Sequence, residues 1–588
     1  MSVHSFPLMQ GLRKKTVVLA GCASLVFFST ACVTAEVLPE TQRIQVPDAA
    51  HPATTKGFVT AANPLAVEAG LKVLAQGGSA VDAAVAVQAT LGLVEPQSSG
   101  IGGGAFMMHY EAATGATTVY DGRETAPASA TPELFYENGQ PLAFVDAVLS
   151  GRSTGVPGAI AMLALAQSEH GSLEWSQLFG EAERLATEGF AVSPRLAGMI
   201  VGNSPQSKTL AAQAYFTRPD GQAYQAGDIL KNPAYADTLR RIATEGPAGL
   251  LQGPVGEAMV EAVREGPRPG GLTLQDMAAY RPVVREAICG PYKVYVVCVP
   301  PPPSSGASIL QLLAMAEVTP DIDKGSNSPD AWAAFAQLQR LMYADRDRYF
   351  GDPAFVTVPV GGLLAPDYVR ARASLAPGLT GAAPFGQPEG APQVGPDATR
   401  EPAGTSHFVV VDAKGNAVSM TTTVESIFGS GRMAGGFFLN NQLTDFSMVP
   451  TAADGTPAAN AVAPGKRPRS SMSPVLVLDR QGQLVGAMGS PGGSSILAYN
   501  AKALIATLSW GLPVQTAFDL PNLVAKGDGF GADTERFSAD LKAGLAARGI
   551  ELLPNASENS GLHGVLWRQG RWDAGADNRR EGVARSLD

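Results

Sequence analysis

Gly404-Thr405-Ser406-His407-Phe408-Val409-Val410-Val411-Asp412 is the stretch where an irregular chain becomes regular. Upstream, Ala376 to Gly404 holds Pro377, Pro384, Pro388, Pro392, Pro396 and Pro402, a composition that favours turns and irregular backbone. Downstream, a β-branched run reads as a buried strand. Thr405 sits at the junction. Were the chain cut before it, one residue would carry both a hydroxyl nucleophile and a free α-amine. Such an amine has an unperturbed pKa of about 7.7–8.0, against about 10.4 for lysine, so a useful fraction is neutral near pH 7 and takes the hydroxyl proton. A threonine opening a strand is ordinary by itself, and the neighbouring residues have to make the case.

Ala413-Lys414-Gly415-Asn416 then supplies turn residues, and Ala417 to Val424 a second strand, which predicts a hairpin. A four-residue loop sets Thr405 opposite Val424; a slip of one residue sets Thr423 or Glu425 there, and either way both lie beside Thr405. Further on, Asn440-Asn441-Gln442-Leu443-Thr444-Asp445-Phe446 crowds polar groups at the end of the apolar run Phe437 to Leu439. Gly465 to Met472, with Ser470 and Ser471, and Gly489 to Ser494, with Gly492 and Gly493, add hydroxyls and glycine amides. Adjacent amides of this kind suit an oxyanion hole. Arg123, just past a predicted strand Thr117 to Tyr120, is placed to present a guanidinium to a carboxylate.

The chain has 588 residues, 45% hydrophobic and 16% charged, ample for a large folded core. Its formal net charge is -10, with lysines and arginines scattered, which argues against nucleic acid as a partner. Arg13, Lys14 and Lys15 precede the uncharged stretch Thr16 to Ala35, the basic and apolar parts of an export signal. Ser29-Thr30-Ala31-Cys32 favours Cys32 as a lipidated residue, with Cys22 or plain cleavage after Ala35 as alternatives. Cys289 and Cys298 flank a predicted strand and are expected to form a disulfide in an oxidising compartment.

Helices are predicted over Asn63 to Ala75, Ala80 to Leu93, Ala159 to Gln167, Ser308 to Glu317 and Pro329 to Tyr343, the last closed by a salt-bridged Asp345-Arg346-Asp347-Arg348. Pro300 to Pro303 is expected to be extended. Ser99-Gly100-Ile101-Gly102-Gly103-Gly104 precedes a strand, the reverse of a dinucleotide loop, and reads as a tight backbone passage. Gly151-Arg152-Ser153-Thr154-Gly155 matches a serine-hydrolase elbow and makes Ser153 a rival nucleophile. No His, Cys and Asp cluster has metal-ligand spacing, and no cofactor is expected. His407, two residues after Thr405, reads as packing rather than catalysis.

Thr405 to Ser447, with Lys466 to Pro474 and Gly489 to Ser494, resembles the γ-glutamyltransferases (glutathione hydrolases) among the N-terminal nucleophile hydrolases. Ala61 to Ala66, Gly102 to Gly104, Asp121 to Glu124, Gly155 to Gly158, Pro301 to Gly306, Tyr343 to Arg346 and Gly575 to Asp577 extend the resemblance across nearly the whole mature chain. It implies an α+β fold, a four-layer αββα sandwich, built from one autocleaved precursor. The implied parts are a signal over 1–35, with the mature chain starting near 32 or 36, a large subunit over 36–404 and a small catalytic subunit over 405–588. The cut would fall between Gly404 and Thr405.

Thr405 would then attack γ-glutamyl amides such as glutathione and pass the acyl group to water, an amino acid or a peptide. Thr423 would hydrogen-bond the nucleophile, and Gly492 and Gly493 would hold the oxyanion. Arg123, Ser470 and Ser471 match positions binding the substrate α-carboxylate; Gln442, Asp445 and Glu425 match those around its α-amine. Many members have asparagine where Glu425 stands, and Met448 to Pro464 lacks the tyrosine of lidded members. A glutaryl or cephalosporin-type acylase of the same fold is the alternative; a glutaryl group has no α-amine, so Asp445 favours γ-glutamyl compounds. A third reading is a binding protein anchored in the bacterial envelope that keeps the site without using it. The periplasm is the expected location.

Overall fold

The computed structural model describes residues 57–402, 404–555 and 560–587; the export segment, with Cys22 and Cys32, lies outside them. Seven antiparallel strands form one sheet in the order Val583–Ser586, Phe58–Ala61, Gly404–Val411, Ala417–Glu425, Gly104–Glu111, Ala116–Asp121, Val283–Glu286. Six form a second in the order Arg571–Ala576, His563–Arg568, Leu484–Gly489, Val475–Leu478, Tyr295–Val299, Ile288–Tyr292.

Alternation along Gly404–Val411 explains the stacking. Phe408 and Val410 join the core shared with helices Pro64–Ala75 and Ala80–Val94, whereas Val409 and Val411 meet Leu476, Ala487 and Val565 of the other sheet. Helices Gly306–Glu317 and Ile496–Leu508 cover the second sheet's far face. The result is the expected αββα sandwich. Both first helices start on sequence-encoded caps: Asn63 accepts from the Leu65 amide, and Ser79 forms a capping box with Asp82.

The central hairpin slips by one residue from the four-residue-loop reading. Asp412 Oδ1 accepts from the amides of Lys414 and Asn416, which closes a tighter turn with Gly415 at φ 85°. Val411 therefore pairs with Ala417, and Thr405 with Thr423. The register then shifts, so that Gly404 faces Glu425 and Val424 is the extra residue of a bulge.

The glycine passage has a specific cause. A Cβ on Gly102 would collide with the Phe438 carbonyl and one on Gly103 with the Thr423 carbonyl, so only glycine lets this loop run beneath the hairpin.

Three expectations change. The Pro329 helix continues to Tyr349, and Asp345 and Arg346 lie buried inside it rather than at its close, because Arg346 follows Leu338 and Met342 on the core-facing stripe; the expected salt bridges do form, Arg346 to Asp347 at 2.9 Å and Asp345 to Arg372 at 3.1 Å. The proline run turns instead of staying extended, with a cis bond between Pro302 and Pro303. The single strand expected between the cysteines is a hairpin turning at Lys293 and Val294; Cys289 and Cys298 face each other across it, Cα atoms 4.1 Å apart, and are disulfide-bonded. Among the described residues no helix is long and apolar enough to cross a membrane.

Because a methyl at Gly103 has no room to form, Gly103→Ala is expected to cost about 3 kcal/mol or more and to lower the thermal midpoint or abolish soluble expression; an unchanged melting curve would contradict the close approach.

Candidate active site

The inner faces of the central hairpin are apolar at the turn and polar at the open end. Val409, Val411 and Ala417 give way to His407, Ser419 and Thr421, then to Thr405 and Thr423. Strand alternation thus delivers two threonines side by side at the mouth between the sheets.

Their hydrogen bonds have one consistent direction. The Thr423 hydroxyl donates to the Gly404 carbonyl at 2.7 Å and accepts from the Glu425 amide at 2.8 Å. A hydroxyl has one proton and two acceptor sites, and Gly404 O has no proton to give. Thr405 Oγ1, 3.2 Å away, must therefore be the donor to Thr423. One side chain accepts the Thr405 hydrogen bond while donating to the carbonyl before it. Behind the pair, Arg580 donates to the Thr405 carbonyl at 2.8 Å, fixing that peptide unit.

Arg123, Glu425, Gln442, Asp445, Ser470, Ser471 and Gly493 line the same small cleft as Thr405 and Thr423; of the expected residues, only Gly492 stands back from it. The Asn440 to Phe446 loop is held by Asn440, which bonds Gly102 O and both the amide and carbonyl of Gly155, and by Asn441, which receives the Ser426 amide. The Ser470 loop is strapped by the proline run: Ser470 N donates to Pro303 O, and Ser305 N to Ser470 O.

Arg123 Nη2 contacts Asp445 at 2.6 Å and the Arg469 carbonyl at 2.7 Å, and Gln442 donates to the same Asp445 oxygen at 2.6 Å. These donors favour a charged Asp445, although burial pushes its carboxyl upward. Among the described residues Glu425 has no cationic partner. Burial, then the charge of Asp445, raises it well above the usual carboxylate range. One proton shared between the two, resident on Glu425, satisfies both. From the other described residues Glu425 Oε1, Gln442 Oε1 and Asp445 Oδ1 receive no hydrogen bond. Glu124, 3.6 Å from Arg123, is raised to about 8 by burial despite that guanidinium.

Sequence reasoning missed Glu401 and Arg346. Glu401 reaches into the cleft from the proline-rich segment, and Arg346 meets it from the long helix at 2.6 Å. Arg346 carried a legible signal, a cation at core-facing helical spacing; Glu401 carried none beyond standing four residues before Thr405.

The profile of the family described as Gamma-glutamyltranspeptidase matches residues 66–587. The chain belongs to this family. It is 36% identical over 482 residues to the glutathione hydrolase proenzyme of Bacillus subtilis (strain 168), covering 79% of this chain and 80% of that one. It is 32% identical over 532 residues to the acylase ACY 1 proenzyme of Pseudomonas sp. (strain SE83), covering 87% and 90%. The solved cephalosporin acylase from Bacillus halodurans superposes with a TM-score of 0.77 at 25% identity, covering 95% of this chain and all of that one.

The geometry around Ser153 does not equip it as a nucleophile. A helix, Phe144–Leu149, precedes it where an elbow needs a strand. Its buried hydroxyl donates to the carbonyls of Val148 and Ser150, both at 2.8 Å, so its proton has no base to go to. His407 is kept neutral by burial and rests on Thr421 Oγ1 at 2.9 Å between the sheets, a packing position.

Thr423→Val keeps shape and loses only the hydroxyl, leaving two backbone groups short of a partner at about 1–3 kcal/mol each. The protein should stay folded by circular dichroism yet remain one uncut band on a denaturing gel, and normal two-band processing would remove Thr423 from the mechanism.

Proposed function

We propose that the chain is a γ-glutamyl amide hydrolase and transferase that matures by cutting its own backbone between Gly404 and Thr405. In the intact chain Thr405 Oγ attacks the Gly404 carbonyl carbon while its proton passes to Thr423 Oγ1 and Thr423 hands its own proton to the Gly404 oxygen. The tetrahedral carbon then collapses, the C–N bond breaks, that proton ends on the leaving Thr405 nitrogen, and the Gly404 acyl group is left on Oγ. Water then hydrolyses the ester, releasing a Gly404 carboxylate and a free Thr405 amine. The mature parts are a large subunit from about residue 32 or 36 to 404 and a small one over 405–588, held as a heterodimer by the shared central sheet.

In the mature enzyme the α-amine takes the Oγ proton, and Thr405 attacks the γ-carbonyl of glutathione or a related donor. The amides of Gly492 and Gly493 stabilise the oxyanion, and the leaving amine departs with a proton. The resulting γ-glutamyl ester goes to water, an amino acid or a peptide. No step needs a cofactor.

The observation that carries the substrate class is the set of buried oxygens on Glu425, Gln442 and Asp445 that receive no hydrogen bond from the other described residues. An ammonium offers three N–H donors and the opposite charge, and Arg123, Ser470 and Ser471 stand ready on the same cleft for the adjoining carboxylate. A glutaryl group would leave Asp445 charged without that partner, so the acylase chemistry named for some relatives fits less well. The basic and apolar N-terminal segment and the Cys289–Cys298 bridge support export to the periplasm, with Cys32 as a lipid anchor.

Thr405→Ala should leave one uncut chain without γ-glutamyl activity; two subunits from that variant would refute the nucleophile. A bound ammonium favours ionised Glu425, so binding expels its proton. Donor affinity should therefore rise with pH, by up to about tenfold per unit, until Glu425 ionises in the free enzyme. Glu425→Gln should flatten that dependence of KM, and a slope unchanged by the substitution would separate Glu425 from the amine.

A further inference from the structure

Glu401 is a charged residue of the segment just ahead of the cleavage point, yet its carboxylate is almost wholly buried. Arg346 Nη2 lies 2.6 Å from it, Arg469 Nη2 lies 3.1 Å from it, and the Ser471 hydroxyl donates to it. Ser471 in turn accepts from Arg346 Nη2 at 2.7 Å. At the other end of the same residue, the Glu401 carbonyl accepts from the Ser494 amide at 3.3 Å and presses on Gly493, where a Cβ would overlap it. Glu401 thus spans the cleft from a carboxylate-binding cluster to the glycine amides.

That span has the length of the proposed substrate. A γ-glutamyl amide is a five-carbon chain with a carboxylate at one end and an amide carbonyl at the other. A glutamate residue within a peptide is the same five-carbon chain read backwards: its side-chain carboxylate replaces the α-carboxylate, and its backbone carbonyl replaces the γ-carbonyl. Only the nitrogen is misplaced, because it sits beside the carbonyl instead of beside the carboxylate. The intact chain shows the matching pattern. The carboxylate cluster and the glycine turn are filled, while one oxygen each of Glu425, Gln442 and Asp445 receives no hydrogen bond from the other described residues.

We propose that Glu401 is an internal, reversed stand-in for the γ-glutamyl group, and that Arg346 joins Ser471 in binding the substrate carboxylate once cleavage lets Glu401 leave. This rests on the γ-glutamyl reading above. Three physical points support it. Arg346 and Arg469 outweigh the burial of Glu401 and bring its carboxyl down to about 2, so the cluster is built for an anion. Arg346 keeps Asp347 at 2.9 Å and Arg469 keeps Asp397, so withdrawing Glu401 removes one negative charge from a cluster of two buried guanidiniums, and an incoming carboxylate restores it. Cleavage also breaks the bond that ties the segment to the hairpin strand, leaving Glu401 three residues from a free end that can withdraw. In the intact chain the cavity amounts to about 20 Å³, room for little more than one water.

Calorimetry with L-glutamate tests this. Processed wild type should bind it, and the permanently uncut Thr405→Ala should not. Thr405→Ala with Glu401→Ala should recover saturable binding, and adding Arg346→Met should weaken it about tenfold or more. Thr405→Ala with Glu401→Gln, which preserves side-chain volume, should bind more weakly than the alanine version; melting curves confirm that each variant is folded. If Thr405→Ala binds L-glutamate as tightly as processed wild type, or if the folded Glu401 variants stay unable to bind it, the stand-in is refuted while the γ-glutamyl reading survives. Absence of binding to processed wild type itself would overturn that reading and this one together.

Discussion

The site depends on the single hydroxyl of Thr423. Its one proton is committed to the Gly404 carbonyl and one lone pair to the Glu425 amide, so the remaining lone pair must receive the Thr405 proton. That arrangement exists because of the bulge at Val424. The regular ladder sets Thr405 beside Thr423, and the extra residue beyond it brings the Gly404 carbonyl and the Glu425 amide onto the same oxygen. The bulge needs Gly103, whose missing side chain lets the Thr423 backbone come close.

Around this hydroxyl the electrostatics divide into two halves. On one side Arg346, Arg469 and Ser471 surround the Glu401 carboxylate; on the other Gln442 joins the two acidic side chains Glu425 and Asp445. Arg123 ties the halves together, since it touches Asp445 and the backbone of Pro468 and Arg469 at once. In the intact chain each half is neutralised internally, the first by Glu401 and the second by a proton on Glu425. Burial makes both compensations necessary: an unpaired charge there would cost several kcal/mol.

Much of this could be read from residues in line. The run Phe408 to Val411 and the caps at Asn63 and Ser79 are local signals, and they mark strand and helix boundaries to within a few residues. The loop count failed because the Asp412 side chain closes the turn one residue early. The Ser153 motif misled because glycine and serine spacing says nothing about whether a strand or a helix precedes it. Asp345 to Arg348 reads as the salt-bridged close of its helix because a charge cluster often ends one, whereas helical phase places Arg346 with Leu338 and Met342 inside it.

The sequence by itself marked the strands and helices, because period-two alternation, capping and turn chemistry act over a few residues, and its motifs pointed to the sandwich and to most residues in the cleft through their resemblance to the γ-glutamyltransferases. Only the tertiary structure decided which hydroxyl donates to which, that Thr423 stands opposite Thr405, and that Glu401 and Arg346 meet inside the site. Those outcomes depend on contacts between segments distant along the chain, such as residues 346, 401 and 471. Their spacing in sequence carries no information about distance once sheets and helices have packed.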